Sequence, residues 1–393
     1  MSAHIDQIAK TFEDVSADVD FWTLRLTSES SESLTVRQGV LQPVYNHRST
    51  GALITVVIGD GSGYAATSDL SPLGLKKAAD IASEWARQSA KLGLLKAGDY
   101  PRPDAQSCYE SPIAKPWSGL SLTDKVDMLQ DANTSLKIHD SIVDWSAWLG
   151  HSTEDVLLVS SAGARIEQRF HYIQPGLSAV ANDGGQTQTR SGGGSGTARQ
   201  GGLEQLDLLA FPAAAPRVAV EAIALLTAEE CPQGKMDLVL APDQMVLQIH
   251  ESIGHPLELD RILGDERNYA GTSFVTQDMF GSYQYGSDLL NVTYDPGHPE
   301  QLASFAYDDE GTTAEREYII RNGILERALG GATSQARTGM AGVANARQAA
   351  WYRPPIDRMA NLNIEPGDST FDDMIAGIER GVYLQTNKSW SID

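Results

Sequence analysis

Cysteine is scarce in this chain, which has 2 among its 393 residues. Cys108 and Cys231 lie far apart and no Cys-x-x-Cys pair occurs, so the sequence predicts neither a disulfide framework nor a cysteine-rich structural zinc site. No apolar run approaches the roughly 20 residues that a membrane-spanning helix needs. Residues 1–12 also lack the charged-then-apolar order of a secretory signal. We therefore expect a cytoplasmic protein without a membrane partner.

Basic residues are outnumbered, since 30 Lys and Arg stand against 52 Asp and Glu. The resulting formal net charge of −22 repels phosphate backbones, so direct nucleic-acid binding through a broad basic surface is disfavoured. Hydrophobic residues make up 41% of the chain, which is enough to build real cores. A chain of this length predicts two or three domains.

The first half of the chain contains both helical and strand patterns of hydrophobic residues. Apolar residues recur at helical spacing after Ser71-Pro72 and around residues 126–136, so helices are predicted there. The proline-rich residues 101–116 between them predict a linker. Period-two alternation or short apolar runs predict strands at residues 21–26, 33–37, 53–58, 142–149, 155–160, 165–172 and 177–181. Strands that follow helices over short connections indicate an α+β fold rather than a parallel βαβ sheet.

The second half of the chain is predicted to be rich in β-structure. Asn322-Gly323, between two short apolar runs, is the strongest hairpin signal in the sequence. Residues 381–388 have the pattern of a strand. Asp308-Asp309-Glu310 is predicted to be a solvated turn, because it lacks the spaced oxygen ligands of a calcium loop.

The clearest chemistry lies between His250 and His255. Neutral imidazoles can hold a zinc ion, and a neighbouring carboxylate can deprotonate the water bound to it. We therefore predict His250 and His255 as metal ligands and Glu251 as the general base, in an HExxxH pattern. The familiar zinc-protease pattern has one residue fewer between its histidines.

With this longer spacing, the two histidines can bind one metal ion only if the backbone departs from a regular α-helix. Five residues of a straight α-helix correspond to roughly 500°, which would leave the two rings about 140° apart. A π-type turn, closed by an i→i+5 hydrogen bond, would bring both rings to one face. Gly254 is expected to lower the conformational cost of that turn, and Pro256 prevents a regular helix from continuing. Asp243 is predicted as the N-cap of the helix that carries His250.

The residues around this segment resemble those of one protein family. The matching stretches are His250-Glu251-Ser252-Ile253-Gly254-His255-Pro256-Leu257-Glu258, Asn268-Tyr269-Ala270-Gly271-Thr272-Ser273-Phe274, Tyr307-Asp308-Asp309-Glu310-Gly311, Arg358-Met359-Ala360-Asn361 and Glu365-Pro366-Gly367. On these motifs the chain resembles the TldD/PmbA family of metalloproteases, a family linked by name to modulation of DNA gyrase. The resemblance covers most of the chain, and the His/Glu segment with its Gly-Thr-Ser follower is its most specific part.

The resemblance implies a zinc peptidase that acts on unfolded or extended peptides. Some bacteria pair such a chain with a homologue that lacks the metal motif, so a homodimer or a heterodimer with a paralogue is implied, with this chain as the catalytic partner. The family's third zinc ligand is a cysteine near the C-terminus. Both Cys108 and Cys231 precede the motif, so the third ligand is unknown and the C-terminal domain is expected to be truncated. Catalytic zinc normally has three protein ligands, which leaves metal binding by this 393-residue form open.

We therefore predict an α+β protein in three parts. Residues 1–100 form an N-terminal α+β domain, residues 117–210 a central helix-plus-strands domain, and residues 211–393 a mainly antiparallel β domain with the metal-binding helix. The predicted function is zinc-dependent hydrolysis of peptides. Two alternatives stay open: a non-catalytic regulatory or peptide-binding subunit of a protease-like complex, and a hydrolase that acts on a non-peptide amide.

Overall fold

The computed structural model describes residues 3–15, 19–93, 95–192 and 198–387, and its fold is α+β, as predicted. The helices are α1 (Ala3–Val15), α2 (Pro72–Ser89), α3 (Leu122–Leu136), α4 (Gln205–Leu208), α5 (Ala215–Ala224), α6 (Pro242–Ile249), α7 (Leu259–Leu263), α8 (Arg267–Ala270), α9 (Ala332–Thr338) and α10 (Phe371–Ala376). The strands are β1 (Phe21–Arg37), β2 (Val40–Leu41), β3 (Tyr45–Ile58), β4 (Gly61–Thr67), β5 (Gln106–Glu110), β6 (Ile142–Ser160), β7 (Arg165–Asn182), β8 (Thr187–Gly192), β9 (Arg199–Gln200), β10 (Asp237–Leu240), β11 (Val292–Tyr294), β12 (Glu317–Arg321), β13 (Ile324–Leu325), β14 (Ala346–Arg347), β15 (Ile356–Asp357), β16 (Leu362–Ile364) and β17 (Gly381–Leu384).

A nine-stranded sheet occupies the first half of the described chain. Its main path runs β4-β3-β1-β6-β7-β5, with β2 paired to β1 and with β8 and β9 paired to β7. Every pair is antiparallel except β5 with β7, which is parallel. Strand β5 comes from the segment predicted as a linker, so that prediction was wrong for residues 106–110.

The longest strands, β1, β6 and β7, are continuous where the sequence predicted two strands each. The predicted breaks fall together in the sheet, since Ser30 lies opposite both Arg48 and Thr153, and Glu32 lies opposite His151. We call this row of side chains the polar band. It interrupts the hydrophobic alternation along each strand without interrupting the backbone ladder.

Helix α2 covers one end of this sheet. The Ser71 hydroxyl accepts a hydrogen bond from the Gly74 N–H at 3.2 Å, and proline follows at the first helical position, which confirms the predicted helix start. The buried face of α2, including Leu75 and Ala82, packs against Leu24 and Ile54 of the sheet.

A second helical layer covers the other end of the same face. Leu129 of α3 and Val218 of α5 are fully buried against Leu34 and Leu149. The polar band lies between this cluster and the α2 cluster, so its side chains are not required to be apolar.

The opposite face of the sheet packs against the C-terminal part of the chain. Val156 and Phe170 of the sheet share one hydrophobic cluster with Ile253, Leu257 and Leu329. Because Ile253 lies between the predicted metal ligands, the metal motif is anchored to the large sheet. The large sheet takes strands from both of the first two predicted domains. The predicted domain division at residues 1–100, 117–210 and 211–393 stays a prediction.

The C-terminal part contains three small sheets. Strands β13-β12-β11-β16 form an antiparallel sheet, β10 and β17 form a parallel pair, and β14 and β15 form an antiparallel pair. The predicted hairpin is confirmed at Asn322 and Gly323, which have φ angles of 48° and 76° as a type I′ turn requires. Strand β17 lies within the residues predicted as a strand, while Lys388 is outside the described residues. In the described ranges, no helix is both long and apolar enough to cross a membrane.

The acidic turn at Asp308 is buried, so the prediction of a solvated turn was wrong. Asp308 is only 3% exposed. Its carboxylate accepts backbone N–H hydrogen bonds from Glu310, Thr312 and Ala346, at 2.9 to 3.2 Å. The lost hydration is therefore replaced by backbone donors, which ties the turn to β14.

Candidate metal centre

The backbone forms a π turn at the predicted metal motif. The turn spans His250–Gly254, directly after α6, and the His255 N–H donates to the His250 carbonyl across five residues. This confirms the prediction that the helix departs from α geometry there. Residues His255–Leu257 then form a short 3-10 turn before the chain leaves the helix axis.

The start of α6 differs from the prediction. Ala241 is the N-cap, and Pro242 occupies the first helical position. Asp243 lies in the first turn and does not cap the helix. Its negative charge there interacts favourably with the helix dipole. The preceding Leu240 is paired in the parallel β10–β17 ladder, so the helix begins as soon as that ladder ends.

Gly254 is needed for space rather than for backbone freedom. Its φ and ψ of −60° and −72° lie close to the ordinary right-handed region, so the expected conformational reason for glycine was wrong. A Cβ atom at this position would lie 2.1 Å from the sulfur of Met359. The turn and the Met359 side chain therefore pack in direct contact.

The turn brings the three predicted site residues together. Ligand atoms of His250, Glu251 and His255 all lie within 4.8 Å of one another. The two imidazole rings have centroids 4.5 Å apart and are nearly perpendicular, at 87°. Two nitrogens bound tetrahedrally to one zinc ion, each about 2.0–2.1 Å from it, stand roughly 3.4 Å apart. These donors therefore fit a zinc ion after small side-chain movements.

A buried carboxylate stands behind His255. Glu258 has no exposed side-chain surface, and its Oε2 lies 2.9 Å from Nδ1 of His255. The same carboxylate accepts hydrogen bonds from Arg261 at 3.1 and 3.2 Å and from Arg358 at 3.4 Å. The Arg261 Nη2 also lies 3.1 Å from His255 Nδ1, but the contact of this nitrogen with Glu258, which can only accept, is shorter at 2.9 Å. We therefore assign the His255 proton to Nδ1, facing Glu258. The Nε2 lone pair is then free for a metal ion, which is the usual arrangement of a histidine ligand and its carboxylate partner.

The surroundings of His250 favour its neutral form. Partial burial lowers the pKa of His250, and the neighbouring His255 lowers it further. A neutral imidazole is the form that binds metal. Glu251 lies beside it, with Oε1 at 3.8 Å from His250 Nε2 and 15% of its side chain exposed. The site thus places two imidazoles beside one partly shielded carboxylate.

Sequence reasoning found the three central residues and gave no role to the groups that orient them. Glu258 and Arg358 were noted only as part of the family resemblance, and Arg261 was not noted. A glutamate three residues after a histidine is a weak signal, because its burial depends on β15 and the residues that follow it. Cys108 and Cys231 are both exposed, and among the described residues no other His, Cys, Asp or Glu joins the group.

Comparison with known proteins places most of the chain in one family. Models of three metallopeptidase domains match: PmbA/TldA domain 1 over residues 22–86, the PmbA/TldA central domain over residues 115–228, and the PmbA/TldA C-terminal domain over residues 233–393. Together these ranges cover well over half of the chain.

Individual relatives agree with these matches. A protein of Methanothermobacter thermautotrophicus named metalloprotease is 27% identical over 397 residues, covering 100% of this chain and 82% of the relative. A Buchnera aphidicola protein named metalloprotease TldD homolog is 26% identical, covering 95% of this chain and 76% of its own length. The crystal structure of a Thermotoga maritima protein, named for modulation of a DNA gyrase, superposes with a TM-score of 0.77 at 17% identity, covering 97% of this chain and 82% of that one. The chain therefore belongs to the TldD/PmbA family of metallopeptidases.

Proposed function

We propose that this protein is a zinc-dependent peptidase that hydrolyses unfolded or extended peptides. The observation that carries the proposal is the convergence of His250, Glu251 and His255 at one π turn. Two imidazoles beside a carboxylate suit zinc, which prefers nitrogen and sulfur ligands in a tetrahedral arrangement. Membership of a metallopeptidase family supports the same activity.

Each residue has a separate chemical task. A bound zinc ion would lower the pKa of a water molecule towards about 7 and polarise the scissile carbonyl. His250 and His255 would hold the ion through neutral imidazoles, with Glu258 keeping the proton of His255 on Nδ1. Glu251 would take the proton of the attacking water and pass it to the leaving amine.

The substrate proposal follows from the strand that leads into the site. Strand β10 immediately precedes α6, and within the described residues it pairs with β17 alone. Its other edge therefore presents backbone N–H and C=O groups, on which an extended peptide can add as a strand. Such recognition relies on the peptide backbone and imposes modest sequence preference. A peptide that bound in helical form would contradict this proposal.

The third zinc ligand and the assembly are proposed together. We propose a homodimer or a heterodimer with a paralogue, in which water or a group beyond the described residues completes the coordination. The free cysteines suit a reducing compartment, so a cytoplasmic location is proposed. Light scattering of the purified protein, alone and mixed with a paralogue from the same genome, measures the assembly directly.

A non-catalytic peptide-binding or regulatory subunit is the second candidate. The observation in its favour is that, among the described residues, no other His, Cys, Asp or Glu joins His250, Glu251 and His255. With Glu251 assigned as the base, only two ligands remain. Such a subunit would bind peptides without cleaving them, and its peptide affinity would not depend on Glu251.

The test compares wild-type protein with three variants. Glu251→Gln removes the base and keeps the size of the side chain, His250→Ala removes a ligand, and Glu229→Gln changes an exposed glutamate as the control. Zinc content is measured by mass spectrometry, and cleavage is followed on an unfolded polypeptide with and without a chelator.

We expect Glu251→Gln to retain zinc while its cleavage rate falls by about 10²–10⁴-fold or more, since general acid–base catalysis is typically worth that much. His250→Ala should lose zinc, and Glu229→Gln should behave as wild type. Equal cleavage by wild type and Glu251→Gln would show that the peptidase proposal is wrong. Peptide binding without zinc or cleavage in the wild type would favour the second candidate.

A further inference from the structure

Pro256 leaves the π turn at His250–Gly254 with one backbone hydrogen bond fewer than a helix would have. In an α-helix the carbonyl of Ser252 would accept from the N–H of residue 256, and proline has no N–H. The N–H of His255 is already bonded to the His250 carbonyl through the π turn. A helix carbonyl that has no backbone N–H to accept from needs another hydrogen-bond donor, which then also fixes the conformation of the turn.

The side chain of Tyr285 supplies that donor. Its hydroxyl donates to the Ser252 carbonyl at 2.5 Å. A second hydroxyl, that of Ser273, donates to the Pro256 carbonyl at 2.6 Å. Side chains from outside the helix thus fix two backbone carbonyls near His255. One carbonyl precedes His255 in the sequence and the other follows it.

Tyr285 is itself held firmly. Its backbone N–H donates to the Gly323 carbonyl of the β12–β13 hairpin at 2.7 Å. Its ring lies 6.0 Å from the ring of Phe274 and 5.9 Å from that of Tyr283, measured between centroids. Burial raises the pKa of Tyr285, so the hydroxyl keeps its proton and remains a donor.

We propose that Tyr285 is a positioning residue of the metal centre, whose hydroxyl holds the π turn in the geometry that brings His250 and His255 to one face. The inference rests on the proposed function, because it concerns the same site. Tyr285 acts through the backbone of Ser252 and has no chemical task in the reaction. The hairpin at Gly323 thereby becomes part of the support of the metal ligands.

The test removes a single oxygen atom. Tyr285→Phe keeps the ring and its packing, while Tyr283→Phe is the matched control, because in the described part of the chain the Tyr283 hydroxyl makes no hydrogen bond. Zinc affinity is measured by competition with a chromophoric chelator. Hydrogen–deuterium exchange is measured on metal-free protein, in peptides that cover residues 249–258. Thermal unfolding reports whether each variant is folded.

We expect Tyr285→Phe to bind zinc about tenfold or more weakly, the usual effect of losing a group that orients a ligand, and to exchange faster across the turn. Its Tm should stay close to that of the wild type, and Tyr283→Phe should match the wild type in both measurements. Unchanged zinc affinity in folded Tyr285→Phe would overturn the inference, even with faster exchange.

The proposed function can fail separately. A wild-type protein that takes up no zinc would overturn the zinc peptidase proposal without deciding the role of Tyr285. In that case the metal-free exchange decides: faster exchange in Tyr285→Phe supports its hold on the turn, and unchanged exchange overturns it.

Discussion

Gly254 lies in the π turn with its α-carbon against the side chain of Met359. An added methyl group would meet the Met359 sulfur at 2.1 Å, so either the methionine or the turn must move. We expect Gly254→Ala to lower the free energy of unfolding by about 1–3 kcal/mol, the usual cost of an overpacked contact, and to weaken zinc binding. Urea unfolding and zinc titration measure the two effects.

The contact with Met359 can be tested as the cause. Trimming it in Gly254→Ala/Met359→Ala should recover part of the loss, measured against Met359→Ala alone in a double-mutant cycle. Gly367→Ala is the control, since no atom lies within 4 Å of a Cβ built there. If Gly254→Ala is as stable as the control, or if the double variant recovers nothing, the steric explanation fails.

The central residues of the site could be predicted from the sequence, because their chemistry is local. His250, Glu251 and His255 lie within one turn, and their spacing alone required a π turn. Glu258 and Tyr285 could not be predicted, because their partners depend on how distant segments pack. The Tyr285 hydroxyl, for example, meets the Ser252 carbonyl only because the chain between them folds back against the hairpin at Gly323.

At the scale of elements, the start of α7 is joined to β15 by two buried carboxylates. The Asp260 N–H donates to Asp357 at 3.0 Å, and the Asp357 N–H donates to Asp260 at 3.1 Å. Burial, followed by the charge of Asp357, raises the pKa of Asp260 to about 7. Burial also raises the pKa of Asp357. The pair therefore holds a proton in the folded protein at pH values where the unfolded chain has lost it.

This pair predicts a pH dependence of stability with a definite sign. An unfolded Asp has a pKa of about 3.9, so between roughly pH 4 and pH 7 the unfolded state binds fewer protons than the folded state. The contribution of Asp260 to stability therefore falls as the pH rises through that window. Asp260→Asn keeps an oxygen acceptor and cannot ionise. We expect it to reduce the loss of stability between pH 5 and pH 8 by about 2 kcal/mol.

Urea unfolding at both pH values, with Asp368→Asn as an exposed control, checks this expectation. The same pH dependence in Asp260→Asn and wild type would mean that the carboxylate pair is not responsible.

The strands show why element boundaries were harder to predict than elements. Leu24 and Leu34 both belong to β1, and each packs under a different helical layer. Between them, Ser30 and Glu32 lie in the polar band, where no helix requires an apolar side chain. The hydrophobic pattern of a strand reflects which of its side chains pack under a helix. The pattern therefore stopped at the edge of each helical layer, although the backbone ladder continued through Ser30 opposite Thr153.

At the scale of the whole molecule, the ion pair between Arg25 and Asp309 joins the large sheet to the C-terminal part. Arg25 is 6% exposed, and its guanidinium contacts Asp309 at 2.7 Å and Gln348 at 2.6 Å. Replacing only Arg25 would leave the Asp309 carboxylate without its cationic partner, and also Glu154, whose carboxylate lies 3.6 Å from the same guanidinium. We expect Arg25→Met to lower the free energy of unfolding by about 3–5 kcal/mol, as is usual when one member of a buried pair is removed.

The matched variant is Arg25→Met/Asp309→Asn, which removes both charges of this pair and keeps an acceptor for the Gln348 N–H. It also removes the repulsion between Asp309 and Glu154, the carboxylate that remains. It should be more stable than Arg25→Met in urea unfolding. A double variant that is less stable than the single one would show that the loss comes from packing rather than from an unpaired charge.

During synthesis, β1 leaves the ribosome long before β6, the strand that pairs with one of its two edges. Strand β3 follows closely, while β6 does not begin until Ile142. Until β6 emerges, one edge of β1 presents unpaired backbone groups, which can join another chain. Pairing between segments so distant in sequence also slows folding, because a long loop must close before the contacts are gained. The nascent chain therefore carries an open sheet edge until residues 142–160 have been made.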